Sequence, residues 1–200
     1  MSTIGLEFDL VEVIEPSGNH VSQSDSRVYG AQFCSYEEYG SYFAITGGIS
    51  KNSVSIYEIV ADKSFKNLDC EDKVSLVQTY RDCDESEDYF CCCWALSSNN
   101  SLLLLVAGYH AVIKGINVSN LDLEVVLPGH LSEVNEMQVV PTDPSLLLSA
   151  SKDESIRLWN IYTRVCIAIF SGSNGHAQHV LTIDVHPLGN CFASAGFDCR

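Results

Sequence analysis

The chain of 200 residues is poor in basic side chains, with 11 Lys and Arg against 26 Asp and Glu and a formal net charge of −15. Binding to nucleic acid or to an anionic membrane needs clustered Lys and Arg, so this balance argues against both as general functions. Charged residues make up only 18% of the chain and hydrophobic residues 46%, which argues against a solvated disordered chain. We therefore expect one globular domain with a buried core and a basic partner.

Long apolar runs are also missing from the chain. No window approaches the roughly 18 consecutive apolar residues of a membrane-spanning helix. The N-terminal apolar stretch is interrupted by Glu7, Asp9 and Glu12, which argues against a secretory signal. We interpret residues 1–27 as an N-terminal extension followed by a polar linker.

The nine cysteines include no Cys-x-x-Cys pair, and no set of four Cys and His residues has the loop spacing of a zinc site. Cys91, Cys92 and Cys93 are consecutive, so on a strand their side chains point to alternate faces. Because no secretory signal precedes them, we expect free thiols in a reducing environment, behaving as small buried hydrophobic residues. The sequence predicts no metal and no other cofactor.

The chain does contain an internal repeat. Two segments share the order Gly-His, Pro, Ser and Asp: Gly129-His130, Pro141, Ser149 and Asp153 in the first, and Gly175-His176, Pro187, Ser194 and Asp198 in the second. The spacing from His to Pro is 11 in both segments, and from His to Asp it is 23 and 22. A strand ending in Trp159 follows the first Asp, and this pattern resembles the WD40 repeat.

Two degenerate copies of the repeat lie upstream. Residues 104–118 align with 147–161, and residues 53–59 align with 155–161. Each copy alternates apolar and polar residues, as a half-buried strand requires, and turn sequences separate the strands. We predict an all-β fold, a WD40 β-propeller.

The repeat also predicts the division of the chain into propeller blades. The predicted blades are 28–59, 77–118, 127–161 and an incomplete fourth at 170–200, with an exposed insertion loop at 60–76. A propeller closes with about four to eight blades, whereas three and a half blades leave an open edge. We therefore expect the chain to be a truncated part of a longer propeller.

Five segments, taken in order and spacing, resemble one family of WD-repeat proteins. They are YGAQF at 29–33, YRDCDESEDYF at 80–90, GHLSEVNE at 129–136, DPSLLLS at 143–149 and SKDESIRLWNI at 151–161. Together they resemble the EED / extra sex combs / FIE family, the WD-repeat subunit of Polycomb repressive complex 2. The resemblance covers about residues 28–200, apart from the insertion.

This resemblance implies a seven-bladed propeller that is not an enzyme and acts in the nucleus. It implies a scaffold for a SET-domain histone methyltransferase, whose helix lies on one propeller face, and contacts with the other subunits of the complex. The opposite face would read a trimethyl-lysine on a histone tail through an aromatic cage, in support of repressive histone methylation and gene silencing.

The resemblance also assigns roles to individual residues. It implies that Phe33 and Phe90 are cage residues, and that Asn135 and Lys152 lie on the histone-peptide face. Considered alone, each has a structural alternative, since a strand Phe is more often core, Asn135 suits a turn and Lys152 suits a solvated tip. The acidic run 82–88 is typical of a solvated loop, although a negative rim beside Phe90 would attract a basic tail.

His130, Ser149 and Asp153 include the residue types of a hydrolase triad. In WD repeats the same residue types, together with Trp159, form a hydrogen-bond network that stabilises one blade. His176 and Asp198 recur one period later, and an active site needs only one copy. We therefore predict a structural network and no catalysis.

Two alternatives come from other functional classes. A substrate receptor of a cullin ubiquitin ligase often ends a blade in Trp-Asp-x-Arg, whereas this chain has Trp159-Asn160-Ile161-Tyr162. An enzyme on a propeller scaffold needs a polar or metal-binding cluster at the channel, and the sequence shows no such cluster. Fold alone does not decide between these functions.

Overall fold

The computed structural model of the chain describes residues 27–60 and 73–199. These two segments are almost entirely strands and turns, with a single 3₁₀ turn at Glu37–Tyr39. Within them no helix is long and apolar enough to cross a membrane. The prediction of an all-β fold is confirmed.

The strands form four antiparallel sheets in chain order. The first sheet contains β1 Val28–Phe33, β2 Tyr42–Gly47, β3 Ser53–Val60 and β4 Lys73–Arg81. The second contains β5 Tyr89–Leu96, β6 Leu102–Gly108, β7 Val112–Asn117 and β8 Leu123–Pro128. The third contains β9 Val134–Val139, β10 Leu146–Ser151, β11 Ile156–Asn160 and β12 Val165–Phe170, and the fourth pairs β13 Val180–Val185 with β14 Phe192–Gly196.

The first strands of the four sheets, β1, β5, β9 and β13, lie side by side, and we call them the inner strands. The Trp94 indole donates to the Gln32 carbonyl near the C-terminal ends of β5 and β1, which shows that these two strands run in the same direction. Near their N-terminal ends, Gly30 packs against the Phe90 carbonyl. The sheets therefore share one orientation around a common axis, as the blades of a propeller do.

Three apolar clusters hold neighbouring sheets together, one at each junction. Strand β6 is buried along its whole length, which explains the unbroken run of four leucines in a sheet covered on both faces. Cys91 and Cys93 pack between the second and third sheets, whereas Cys92 packs between the first and second. The three thiols thus alternate between two cores, and burial raises the pKa of Cys92 to about 12.

Each inner strand carries a β-bulge near its N-terminal end, where one residue is skipped in the pairing with the second strand. The skipped residues, which we call the bulge positions, are Tyr29, Phe90, Asn135 and Leu181. A bulge redirects a side chain out of the regular alternation of a strand. All four bulge positions line one cavity between the inner strands.

The sheets extend beyond the predicted blade limits of 28–59, 77–118 and 127–161. Each complete sheet has a fourth, outer strand that those limits cut or omitted, and β4 occupies part of the predicted insertion loop 60–76. The outer strands β8 and β12 have the sequences LEVVLP and VCIAIF, which lack the regular apolar–polar alternation that predicts a half-buried strand. Residues 1–26 of the predicted extension and residues 61–72 of the insertion lie outside the described residues.

Candidate functional site

An aromatic pair lies at the N-terminal end of the inner strands. The rings of Tyr29 on β1 and Phe90 on β5 meet edge to face, with their centroids 5.3 Å apart. Both side chains occupy bulge positions and line a cavity of about 320 Å³. Tyr29 remains 40% exposed, so the pair presents aromatic surface to solvent. Aromatic faces of this kind attract a quaternary or methylated ammonium group.

Phe33 does not join this pair, so the predicted cage of Phe33 and Phe90 is not formed. Phe33 ends β1, three residues after Gly30, which packs beside Phe90. At a rise of about 3.3 Å per residue, this places Phe33 about 10 Å away along the strand. Its ring packs on Phe43 at 5.4 Å and it lines a different cavity, of about 150 Å³, near the C-terminal ends of the strands. The structure brings Tyr29, rather than Phe33, to Phe90.

The two residues predicted for the histone-peptide face lie at this end of the sheets, but both are engaged. Asn135 lines the cavity with Tyr29 and Phe90, and its side-chain amide donates a 2.7 Å hydrogen bond to the Val180 carbonyl. Lys152, in the turn between β10 and β11, forms a 2.9 Å ion pair with Glu133. Asn135 therefore joins the third sheet to the fourth, while the charge of Lys152 is partly neutralised.

The acidic run 82–88 is not simply a solvated loop. Asp82 and Glu87 are buried, and Lys114 on β7 binds both carboxylates, at 2.6 and 3.4 Å. The Tyr89 hydroxyl donates a further hydrogen bond to Asp82. Burial alone raises the pKa of Asp82, but these bonds outweigh it and lower the pKa to about 2. This Lys114 network fixes the segment that leads directly into Phe90.

The third sheet contains the predicted hydrogen-bond network in full. His130 Nδ1 lies 2.8 Å from Asp153 Oδ2, and His130 Nε2 lies 2.7 Å from Ser149 Oγ. The Trp159 indole donates to Ser149 Oγ at 2.8 Å. Because an indole N–H only donates and a carboxylate only accepts, the hydroxyl donates to Nε2 and the imidazole proton sits on Nδ1. Burial raises the pKa of Asp153, but the bonds from His130, Ser155 and the Leu131 N–H outweigh it, so the pKa lies well below its ordinary value.

The fourth sheet repeats the same arrangement. His176 lies 2.8 Å from Asp198 and 2.9 Å from Ser194, the counterparts of the contacts of His130. In the third sheet Ser149 is fully buried, and its hydroxyl oxygen is enclosed by His130 and Trp159. A substrate atom cannot reach this hydroxyl without unfolding the sheet. The geometry of these residues is therefore that of a structural network.

Sequence reasoning missed Tyr29 as the partner of Phe90 and Lys114 as the partner of the acidic run. A signal for Tyr29 exists, since Val28-Tyr29 and Tyr89-Phe90 both place an aromatic ring at the second residue of an inner strand. The role of Lys114 was hidden because its two partners come from the loop before β5, far away in the sequence. Ion pairs between distant segments leave no periodic pattern.

The inner strands of the four sheets lie side by side, and two of the sheets each contain one His–Ser–Asp network. These features define a WD-repeat propeller. In agreement, the family described as "WD domain, G-beta repeat" matches residues 122–160 and 164–200. The chain is 37% identical over 187 residues to the Polycomb group protein FIE2 of Zea mays, covering 92% of this chain and 46% of that protein. It is 35% identical over 157 residues to the Polycomb protein esc of Drosophila melanogaster, covering 78% of this chain and 34% of that protein.

Solved structures agree with this relationship. A crystal structure of the Chaetomium thermophilum polycomb repressive complex 2 contains a chain that matches this one with a TM-score of 0.74 and 27% identity, covering 85% of this chain and 35% of that chain. The chain is thus similar to Polycomb group WD-repeat proteins of the EED / extra sex combs / FIE family over most of its own length. It spans less than half the length of the relatives it matches.

Proposed function

We propose that the chain is part of the WD-repeat subunit of a Polycomb repressive complex 2 and reads methyl-lysine on histone tails. In this role it is a non-enzymatic scaffold in the nucleus, and it supports repressive histone methylation and gene silencing. The family of its relatives and their propeller fold support the assignment to the complex.

The Tyr29–Phe90 pair is the observation that carries the reader function. A methylated ammonium is cationic but weakly hydrated, so it gains from aromatic faces that exclude water. The pair lies at the open end of the inner strands, beside the acidic segment that contains the exposed Asp84 and Glu85. A negative surface at this position favours the approach of a basic histone tail.

The opposite end of the inner strands is the proposed surface for the methyltransferase helix. Phe33 is 61% exposed there and lines the smaller cavity with Trp94 and Val139. An exposed aromatic residue beside a cavity suits one anchor residue on the apolar face of an amphipathic helix. The same inner strands would thus carry a peptide-reading end and a scaffold end.

The test is a calorimetric titration of the chain with a histone peptide, in methyl-lysine and unmodified forms. Each aromatic face contributes about 0.5–2 kcal/mol to binding a desolvated cation, so Tyr29→Ala and Phe90→Ala should each weaken methyl-lysine binding several-fold or more. Phe90→Tyr, which keeps the ring, should preserve binding.

Phe33→Ala is the matched control, because it removes an exposed ring from the other end of the same strand. It should leave peptide binding unchanged and weaken binding of the methyltransferase helix instead. Thermal melts establish that each variant is folded. If Tyr29→Ala and Phe90→Ala bind methylated and unmodified peptides as the parent does, the reader function is wrong.

A further inference from the structure

Two side chains of β9 in the third sheet bind the backbone of β13, the inner strand of the fourth sheet. Glu136 Oε2 accepts a hydrogen bond from the Ile183 N–H at 2.8 Å, and Gln138 Oε1 accepts one from the Val185 N–H at 3.2 Å. The acceptors alternate along β9 and the donors alternate along β13 in the same order. The side chains of one strand thus form a regular ladder on the backbone of its neighbour.

The two N–H groups of this ladder need partners from outside their own sheet. Strand β13 pairs antiparallel with β14, and in such a pair only alternate residues direct their N–H groups to the partner strand. Ile183 and Val185 direct theirs towards β9 instead. Both residues are buried, so an unpaired N–H group at either position would be unfavourable. Glu136 and Gln138 therefore supply the hydrogen bonds that an adjacent strand supplies in a continuous sheet.

The corresponding positions of β1 and β5 do not form such a ladder. Counted from the bulge positions, Gln32 on β1 corresponds to Gln138 on β9, but its buried Oε1 has no hydrogen-bond partner within the described residues. The position of Glu136 is occupied by Gly30 on β1, and both positions are cysteines on β5. No second carboxylate or amide extends from these strands at the matching positions. Among the sheet junctions of residues 27–60 and 73–199, the ladder is specific to the third and fourth sheets.

The ladder adds a directional constraint to apolar packing. The third and fourth sheets also meet through a cluster of buried aliphatic side chains. Hydrophobic contact is non-directional, whereas a hydrogen bond depends steeply on distance and angle. The Asn135 amide, which donates to the Val180 carbonyl, adds a third bond at one end of the ladder. These bonds therefore determine the position of β13 along β9.

We propose that Glu136 and Gln138 form a clamp that locks the fourth sheet to the third in one register, so that the two sheets open as a single unit. Proteins open locally in cooperative units, and the contacts between neighbouring elements decide where one unit ends. Without the clamp, the fourth sheet would open separately from the third. This inference is independent of the proposed function.

The test is amide hydrogen exchange of the whole chain, followed by nuclear magnetic resonance. In the parent, the protection factors of Ile183 and Val185 should equal those of the hydrogen-bonded amides of β10 in the third sheet. Glu136→Leu and Gln138→Leu remove one acceptor each at similar volume. Each should lower the protection of Ile183 and Val185 about tenfold relative to β10, as the loss of one buried hydrogen bond requires.

Two further variants serve as controls. Gln32→Leu removes the corresponding glutamine of β1, whose Oε1 is unpaired, and should leave the ratio of β13 to β10 protection unchanged. Glu136→Gln keeps an acceptor oxygen and should retain most of the protection. The clamp is wrong if Ile183 and Val185 are already much less protected than β10 in the parent. It is equally wrong if both leucine variants keep the parental ratio, or if Glu136→Gln loses as much protection as Glu136→Leu.

Discussion

In both the second and the third sheet, polar side chains connect the loop before the sheet to the sheet itself, but the two sheets do so with different chemistry. In the third sheet, neutral hydrogen bonds among His130, Ser149 and Trp159 end on the carboxylate of Asp153. The register of the strands places Val106 and Ile116 at the positions of Ser149 and Trp159 in the second sheet, so no hydroxyl or indole is available there. Instead, Asp82, Glu87 and Tyr89 gather around Lys114.

The Lys114 network of the second sheet depends on a charged side chain more strongly than the His130 network of the third sheet does. Lys114 occupies the position of Arg157, which in the third sheet lies over the Trp159 ring at 5.8 Å and only 3.8 Å from Asp153. Losing Lys114 leaves two buried carboxylates without a cation, whereas losing Arg157 leaves the neutral network intact. The WD motif is therefore one of two ways in which this chain connects the loop before a sheet to that sheet.

The largest expected effect is that of Lys114→Met. Removing one partner of a buried ion pair leaves an uncompensated charge, so the free energy of unfolding should fall by about 3–5 kcal/mol. Urea denaturation followed by circular dichroism measures this change. Lys114→Arg, which keeps the charge, should retain most of the stability, and equal losses in the two variants would contradict an electrostatic role.

A smaller loss is expected in the third sheet, from His130→Ala or Asp153→Ala. Each leaves buried polar groups unpaired, which lowers the free energy of unfolding by about 1–3 kcal/mol. Glu154→Gln, at an exposed position in the same turn, should change stability little. Peptide binding by the folded variants should persist, and a variant that keeps its stability but loses an activity would point to catalysis instead.

Acid should weaken the second sheet through Asp82. Its folded pKa of about 2 lies below the ordinary carboxyl value, so its stabilisation is complete above about pH 4 and is lost as the pH falls towards 2. Compared with the parent, Asp82→Asn should lose about 1–2 kcal/mol less over this range. Glu85→Gln is the control in the same segment, and an identical acid dependence of Asp82→Asn and the parent would show that Asp82 is not the titrating group.

The smallest effect is expected for Arg157→Met. The cation–π contact with Trp159 contributes about 0.5–1 kcal/mol, and the buried Arg157 Nε has no hydrogen-bond partner within the described segments. We therefore expect a loss below about 1 kcal/mol, measured by the same urea denaturation. A loss as large as that of Lys114→Met would remove the distinction between the two sheets.

The architecture was predictable because WD repeats are marked by recurring local patterns. His130 and His176, each followed by its Asp at nearly the same spacing, reveal the period, and alternating strands reveal the all-β fold. The predicted blade limits cut or omit the outer strands β4, β8 and β12, and β8 and β12 lack a regular apolar–polar alternation that would mark them as half-buried strands. Their assignment depends on hydrogen bonds to the preceding strand, which the sequence does not encode as a pattern.

The aromatic pair was only half predictable. The resemblance to the family predicts Phe90, but it points to Phe33 in place of Tyr29, four residues away on the same strand. Tyr29 lines the cavity at the bulge position of β1, and that position depends on the pairing of β1 with β2. A displacement of a few residues along an inner strand moves a side chain from one end of the channel to the other.

The most direct test of the account is a nuclear magnetic resonance titration of the chain, with labelled Tyr and Phe rings, against a methyl-lysine histone peptide. We expect the ring signals of Tyr29 and Phe90 to shift together and to saturate with increasing peptide, while those of Phe33 stay unchanged. Shifts at Phe33 and Phe90 without Tyr29, or at none of the three rings, would contradict a reader site at the N-terminal end of the inner strands.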